Sequence, residues 1–155
     1  MSFVISGLDP APFRHLFGLS DDALAQAKAV RMVADTKPGF PCRVTLEDAE
    51  PGQSVLLVNY EHLPAQTPYR SRHAIFIREG AVDVARYEGR VPESLSARLL
   101  SVRSFDAVGM MTDADVTEGV ELEPLISRFF GDPAVAYLHV HNARRGCFAA
   151  RVDRA

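Results

Sequence analysis

The chain has 155 residues, of which 47% are hydrophobic and 24% are charged. This composition is close to the globular average and excludes a wholly disordered chain, a collagen and a disulfide scaffold. The 17 basic and 20 acidic residues give a formal net charge of -3, which argues against a dedicated nucleic-acid binder because such proteins carry a basic excess. A chain of this length predicts a single domain over residues 1–155.

The beginning of the chain and its cysteines predict a cytoplasmic location. Asp9 and Pro10 end the first apolar stretch before the core of a signal peptide could form, and no Lys or Arg precedes it. No apolar run approaches the ~18 residues that a membrane-spanning helix needs. Cys42 and Cys147 are too few for a secreted disulfide framework, so we expect two free thiols in a reducing compartment. Neither a membrane nor a nucleic acid is expected as a partner.

The first half of the chain predicts one short helix followed mainly by strands. Ser20 before Asp21 is typical of a helix start, since a capping hydroxyl and early acidic side chains stabilise that end. The alternation over residues 30–35 fits either a strand or a continuing helix. A long loop is predicted over residues 62–72, because prolines interrupt it. The predicted strands of this half are 42–46, 55–60, 73–78 and 82–87.

The second half predicts a helix between two pairs of strands. Apolar residues recur at helical spacing over 121–130, and Gly131 follows as a stop residue. Strands are predicted over 99–105 and 110–116 before this helix, and over 135–141 and 147–153 after it. The chain therefore predicts an α+β fold ending β-β-α-β-β, with a mainly antiparallel sheet of about eight strands and two or three helices. The predicted buried residues of the helix are Leu122, Leu125, Ile126, Phe129 and Phe130.

Four segments of the chain resemble a bacterial family catalogued as domain of unknown function 1203. They are PGFPCRVTLEDAEPG (38–52), SVLLVNY (54–60), PYRSRHAIFIRE (68–79) and DPAVAYLHVHNARRGCFAARVDR (132–154). The ending is the most specific part, with Asn142, Ala143, Gly146, Cys147 and Arg151. Members of the family are about as long as this chain, so the resemblance implies one fold-sized unit. The family carries no assigned activity, and the resemblance implies none.

The last two predicted strands form a hairpin whose faces can be assigned from the sequence. If residues 142–146 are a five-residue loop, His141 lies opposite Cys147. Apolar pairs then share one face, which must be the core face because a slip of one residue would expose all of them. These pairs are Val140 with Phe148, Leu138 with Ala150, and Ala136 with Val152. The other face is predicted to carry His139, His141, Cys147 and Arg151.

A thiol beside an imidazole can act as a nucleophile with its base, because the thiolate is the reactive form of cysteine. The hairpin therefore makes Cys147 a candidate nucleophile, with His141 and His139 as candidate catalytic partners. The alternative is that Cys147 simply packs against a histidine at the surface. The chain shows neither a nucleotide-binding glycine motif nor the GxSxG motif of serine hydrolases.

The same histidines are candidate metal ligands. His139 and His141 project from one face of a predicted strand, and Cys147, Cys42 or His62 would complete a three- or four-ligand zinc site. The chain has no CxxC or HExxH motif to support a metal, so no cofactor is expected beyond this conditional zinc site. His15 and His73 have no partner that the sequence can name, and we interpret both as ordinary polar residues.

The third candidate site is basic. Arg70 and Arg72 end the long loop beside Tyr69, and Arg43 begins the strand after Cys42. Arginine forks suit carboxylate or phosphate, so Arg43, Tyr69, Arg70 and Arg72 could bind a small anionic ligand. The alternative is that these arginines pair with acidic neighbours such as Glu61. A further alternative is an interaction module that forms a homodimer through an exposed strand edge.

Overall fold

The computed structural model describes residues 2–155, which form nine strands, three α-helices and two 3-10 turns. The strands are β1 (Phe3–Ser6), β2 (Val30–Val33), β3 (Ser54–Leu63), β4 (Ser71–Arg78), β5 (Arg86–Glu88), β6 (Leu99–Phe105), β7 (Met111–Glu118), β8 (Tyr137–Asn142) and β9 (Phe148–Arg154). The helices are α1 (Asp21–Gln26), α2 (Glu93–Ser96) and α3 (Leu122–Phe130), and the 3-10 turns span Ala11–Leu16 and Gly119–Glu121.

The strands form two antiparallel sheets. The six-stranded sheet has the order β5-β1-β9-β8-β6-β7, and the three-stranded sheet has the order β2-β3-β4. Every paired neighbour in both sheets is antiparallel. The predicted α+β class, the antiparallel sheet and the β-β-α-β-β ending are therefore confirmed. Within residues 2–155, none of the helices has the length and apolar character needed to cross a bilayer.

Helix α3 covers one face of the six-stranded sheet. Its apolar stripe is buried, as the helical spacing predicts. The stripe packs into one core with Val102 of β6 and with Leu138 and Val140 of β8. This face of the sheet is therefore sealed by apolar contacts.

The other face of the six-stranded sheet meets the three-stranded sheet. Leu56 and Val58 of β3 and Ile75 of β4 are buried in a second core that also contains Phe148 of β9. The inward-facing row of side chains on β3 and β4 becomes polar toward one end. There His73 of β4 pairs with Tyr60 of β3. The junction of the two sheets is thus apolar in its middle and rich in histidine at one end.

Several local predictions differ from the structure. Residues 30–33 form a strand, which resolves the ambiguity between strand and helix. Residues 42–46 form isolated bridges and a turn instead of a strand, with Leu46 at a φ of 53°. The strand expected over 82–87 is reduced to β5, and β1 was not predicted. Strand β3 runs to Leu63, so His62 lies in a strand and not in a loop.

The C-terminal hairpin forms, but its register differs from the predicted one. Leu138 lies opposite Val152, and Val140 lies opposite Ala150, so the core face keeps its expected parity. The register then shifts between Val140 and His141, and His141 lies opposite Phe148 and not opposite Cys147. This β-bulge adds one residue to β9 and turns Phe148 onto the histidine face. Phe148 consequently belongs to the second core, not to the core of Val140.

Candidate metal centre

Three buried histidines from the two sheets meet at the junction. His139 and His141 project from β8 of the large sheet, and His62 projects from the end of β3 in the small sheet. Their exposed fractions are 2%, 0% and 8%, in that order. One ring nitrogen of each can be chosen so that all of them lie within 4.8 Å of one another. The sequence predicted the face shared by His139 and His141 and named His62 as a possible third ligand.

The spacing of two of these rings matches a metal site. The Nδ1 atoms of His62 and His139 are 3.3 Å apart. Zinc–nitrogen bonds of about 2.0–2.1 Å at tetrahedral angles place neighbouring ligand nitrogens about 3.3 Å apart. The ligand nitrogens of the other pairs lie within 4.8 Å of one another, so each pair is at most about 1.5 Å wider than this spacing. Rotation of an imidazole ring can supply that movement.

His141 is held in one tautomer by its own hairpin. Its Nδ1 lies 2.9 Å from the carbonyl oxygen of Gly146, an atom that can only accept, so Nδ1 carries the proton and donates it. The other nitrogen, Nε2, is buried without any hydrogen-bond partner in the described chain. An imidazole that donates one N–H to a backbone carbonyl and keeps the other nitrogen as a free lone pair is the usual arrangement of a metal ligand.

A fourth histidine extends the cluster toward solvent. Nδ1 of the half-buried His73 is 2.7 Å from Nε2 of His62. The His62 and His73 rings are also stacked, with centroids 4.7 Å apart. His62 places Nε2 against His73 and Nδ1 against His139, so a neutral His62 that donates from Nε2 to His73 keeps the lone pair of Nδ1 on the side of His139. His73 fixes the orientation of His62 in the way that outer-shell partners fix metal ligands.

Aromatic neighbours exclude water from the cluster. Phe148 stacks on His62 with centroids 4.9 Å apart and meets His139 at the same distance. Phe105 also packs against His139, with centroids 5.3 Å apart. This burial disfavours the imidazolium form and is the largest cause of the lowered pKa values, with smaller contributions from neighbouring positive charges. The pKa is lowered to about 4 in His62, about 2 in His139 and about 3 in His141.

Neutral imidazoles are the form that binds metal ions. The cluster therefore presents lone pairs at neutral pH without first having to release protons. The atoms that could bind a metal are one ring nitrogen each of His62, His139 and His141. Imidazole suits zinc, copper, iron and nickel, whereas calcium and magnesium prefer oxygen ligands.

The structure places Cys147 with Arg43 and not opposite His141. The Cys147 sulfur accepts a hydrogen bond from Nη2 of Arg43 at 3.1 Å and is 3.7 Å from Nδ2 of Asn142. Nδ1 of His141 donates to the Gly146 carbonyl. The direct opposition on which the predicted Cys147–His141 pair depended is thus absent from the observed register. Both cysteines are free thiols, as predicted.

The four residues of the predicted anion site lie in two separate environments. Arg43 is buried, with 2% of its surface exposed, and it donates to the carbonyl oxygens of Phe148 and Pro41. Arg70 and Arg72 both pair with Glu61, which is the alternative that the sequence left open. Tyr69 is exposed, and its ring is T-shaped to that of Phe105, with centroids 6.5 Å apart.

His73 was not predicted as a member of the cluster. The signal was present, because His73 alternates with Ile75 and Ile77, both of which are fully buried. Arg103 of β6, whose Cα partner in the sheet is His139, was not predicted as a neighbour of the cluster either. No local pattern could reveal that pairing, since β6 and β8 are separated in the chain by β7 and α3.

The comparisons with known proteins give a family and no activity. No curated protein matches the chain, and no solved structure matches it. A family model described as protein of unknown function (DUF1203) matches residues 39–154. This segment includes β3, β4, β8 and β9, and therefore all four clustered histidines. Because the match spans far more than half of the 155 residues, the chain belongs to the DUF1203 family.

Proposed function

We propose that this protein binds a divalent transition metal, zinc in the first place, through His62, His139 and His141. The observation that carries the proposal is Nε2 of His141, which is buried and has no hydrogen-bond partner in the described chain. A buried polar atom without a partner costs about 1–3 kcal/mol, and a metal bond would satisfy it. The 3.3 Å separation of the His62 and His139 nitrogens supports the same proposal.

The proposed site has three protein ligands. Structural zinc sites are closed by four protein ligands, whereas catalytic sites use three and leave a position for water or substrate. His73 is a further histidine beside the cluster, but its Nδ1 is directed at Nε2 of His62. We therefore assign His73 to orienting His62 and leave the fourth position for an exogenous ligand.

The experiment is a zinc titration of chelator-treated protein, followed by calorimetry and by thermal unfolding. We expect one zinc ion per chain, and stabilisation by about 2.7 kcal/mol when free zinc is 100 times Kd. The variants His62→Gln and His139→Gln should weaken zinc binding at least tenfold. His15→Gln is the matched control, because His15 is exposed and lies outside the cluster.

Two results would contradict the proposal. One is wild-type protein that binds neither zinc nor cobalt, nickel or copper at one ion per chain. The other is a folded His139→Gln variant, checked by circular dichroism, that binds zinc as tightly as wild type. If a histidine variant fails to fold, the zinc stoichiometry and the zinc-dependent stabilisation of wild type still test the proposal.

A further inference from the structure

Arg103 lies beside the histidine cluster on the same face of the large sheet. It is the Cα partner of His139 across β6 and β8, so the two side chains project to the same side. Ser101 and His141 form the neighbouring pair with the same orientation. Arg103 is half-buried, as is His73, so both are more accessible to solvent than the three buried histidines.

The guanidinium of Arg103 has no partner in the described chain. Within residues 2–155 it makes no hydrogen bond and no ion pair, although an arginine carries five N–H donors. Arg151, which flanks His139 from β9, is in contrast paired with Asp153 at 2.8 Å. A half-buried cation without an acceptor costs free energy unless a ligand or solvent supplies one.

The electrostatic environment of the cluster is positive. Arg103 of β6 and Arg151 of β9 are the Cα partners of His139 on its two sides in the sheet. Within residues 2–155, no carboxylate forms a hydrogen bond or an ion pair with any of the four histidines. Three neutral imidazoles bring no negative charge to a divalent metal. The loaded site would therefore hold the metal and Arg103 with no anion from the chain.

We infer that Arg103 binds the carboxylate group of a small-molecule ligand that occupies the open position of the metal. This inference rests on the proposed metal site. A carboxylate can bind the metal with one oxygen and accept from the guanidinium with the other, because the planar fork of arginine matches its geometry. The bound ligand would neutralise one charge of the metal and satisfy Arg103 at the same time.

The location differs from the anion site that the sequence predicted. Arg70 and Arg72 already share Glu61, and Arg43 already donates to two carbonyl oxygens and to Cys147. The guanidinium N–H groups of Arg103 have no partner within residues 2–155, and Arg103 is the Cα partner of His139, one of the proposed metal ligands. Both the need for an anion and the unpaired N–H groups therefore favour Arg103 as the residue that binds the carboxylate.

The test uses cobalt(II)-loaded protein titrated with acetate. Cobalt(II) takes nitrogen-ligand sites that suit zinc, and its visible absorption changes when a ligand of the metal changes. We expect acetate to shift the spectrum of wild type, and Arg103→Met to raise the acetate Kd at least tenfold while still taking up one cobalt per chain. Arg103→Lys keeps the charge without the fork and should lie between the two. Arg70→Met is the control and should behave like wild type.

The outcomes separate this inference from the proposed metal site. If wild type binds no cobalt, the metal site and the inference both fail. If cobalt binds but acetate leaves the spectrum unchanged, or if Arg103→Met binds acetate like wild type, the inference alone fails. A purely structural role for Arg103 would lower the melting temperature of Arg103→Met and leave its acetate Kd unchanged, which would also overturn the inference.

Discussion

The Nδ1 atoms of His62 and His139 are 3.3 Å apart although 77 residues separate them in the chain. One belongs to the small sheet and the other to the large sheet, so the packing of the two sheets creates the contact. Phe148 helps to fix the positions of both imidazole rings, because it stacks on His62 and makes a T-shaped contact with His139. The histidine cluster is therefore a product of tertiary structure and not of a local motif.

The position of Phe148 depends on the β-bulge in the C-terminal hairpin. With regular pairing, Phe148 would project into the core of Val140 and away from the histidines. The register shift between Val140 and His141 brings it to the histidine face instead. Bulges often redirect a side chain next to a functional site. Here the bulge places the apolar ring of Phe148 against the histidines, and this burial favours their neutral form.

The buried stripe of α3 gives the first prediction. Phe129 is 4% exposed and lies in the core beneath the large sheet. Phe129→Ala should lower the free energy of unfolding by about 3–5 kcal/mol, because the cavity that it leaves closes only in part. Urea denaturation measures this change. Ser127→Ala on the exposed side of the same helix is the control and should stay within about 0.5 kcal/mol of wild type.

The sequence predicts local elements of this fold well where their patterns are strong. The stripe of α3 and the apolar run of β3 each follow a single periodicity, and both elements form where expected. Strand β1 has only four residues, and it is stabilised by pairing with β5 and β9, which are far away in the chain. Residues 42–46 alternate like a strand, but Leu46 adopts a positive φ and the segment turns. Tertiary contacts decide such short segments.

The candidate site is only partly predictable for the same reason. The faces of His139 and His141 follow from strand parity, which the apolar pairs of the hairpin specify. The bulge has no sequence signal of its own, so the expected opposition of His141 and Cys147 was wrong. The positions of His62 and His73 depend on how far β3 and β4 extend toward the connecting loop, which begins after Leu63 and ends before Ser71. Arg103 depends on the order of strands in the sheet, which no local pattern contains.

A close backbone contact at Gly119 gives the second prediction. A Cβ atom at this position would lie 2.0 Å from the carbonyl oxygen of Leu95 and 2.8 Å from that of Arg98. The Gly119 N–H also donates to the Arg98 carbonyl at 2.8 Å, so the two segments cannot separate without losing this bond. Gly119→Ala should therefore lower the free energy of unfolding by at least about 2 kcal/mol.

Thermal and urea unfolding of Gly119→Ala measure the effect. The control is Val120→Ala at the adjacent residue, which is 73% exposed and should leave the melting temperature nearly unchanged. Equal melting temperatures for Gly119→Ala and wild type would show that the two backbone segments can move apart at no cost.

The carboxylate of Glu79 gives the third prediction, which concerns pH. It accepts hydrogen bonds from Arg31 and Ser54 and from the backbone N–H of Gly18. The Arg31 guanidinium is the main reason that the pKa of Glu79 is lowered to about 2. The unfolded chain binds the proton at a pKa of about 4.3, so this contribution to stability is present above that pH. It is lost as the pH falls toward 2.

Glu79→Gln tests this dependence. We expect the variant to be less stable than wild type by about 1 kcal/mol at pH 7, since the site is near the surface and screened by solvent. The difference should shrink as the pH is lowered from about 5 to about 2, which urea midpoints at each pH would show. Glu123→Gln at an exposed position of α3 is the control. A difference that stays constant over this pH range would mean that the charge of Glu79 does not stabilise the fold.

The two thiols give the last prediction, because the structure places them in unequal environments. Cys42 is 1% exposed and accepts a hydrogen bond from the backbone N–H of Arg78, whereas Cys147 is half-buried beside Arg43. A thiol reagent added to the native protein should therefore modify Cys147 first, and Cys42 should react only after unfolding. Denatured, non-reduced protein should show two thiols, and Cys147→Ser should remove the fast phase in the native state. If Cys42→Ser removes it instead, the segment around residues 42–46 opens more readily than the hairpin loop, and the burial of Arg43 would have to be reconsidered.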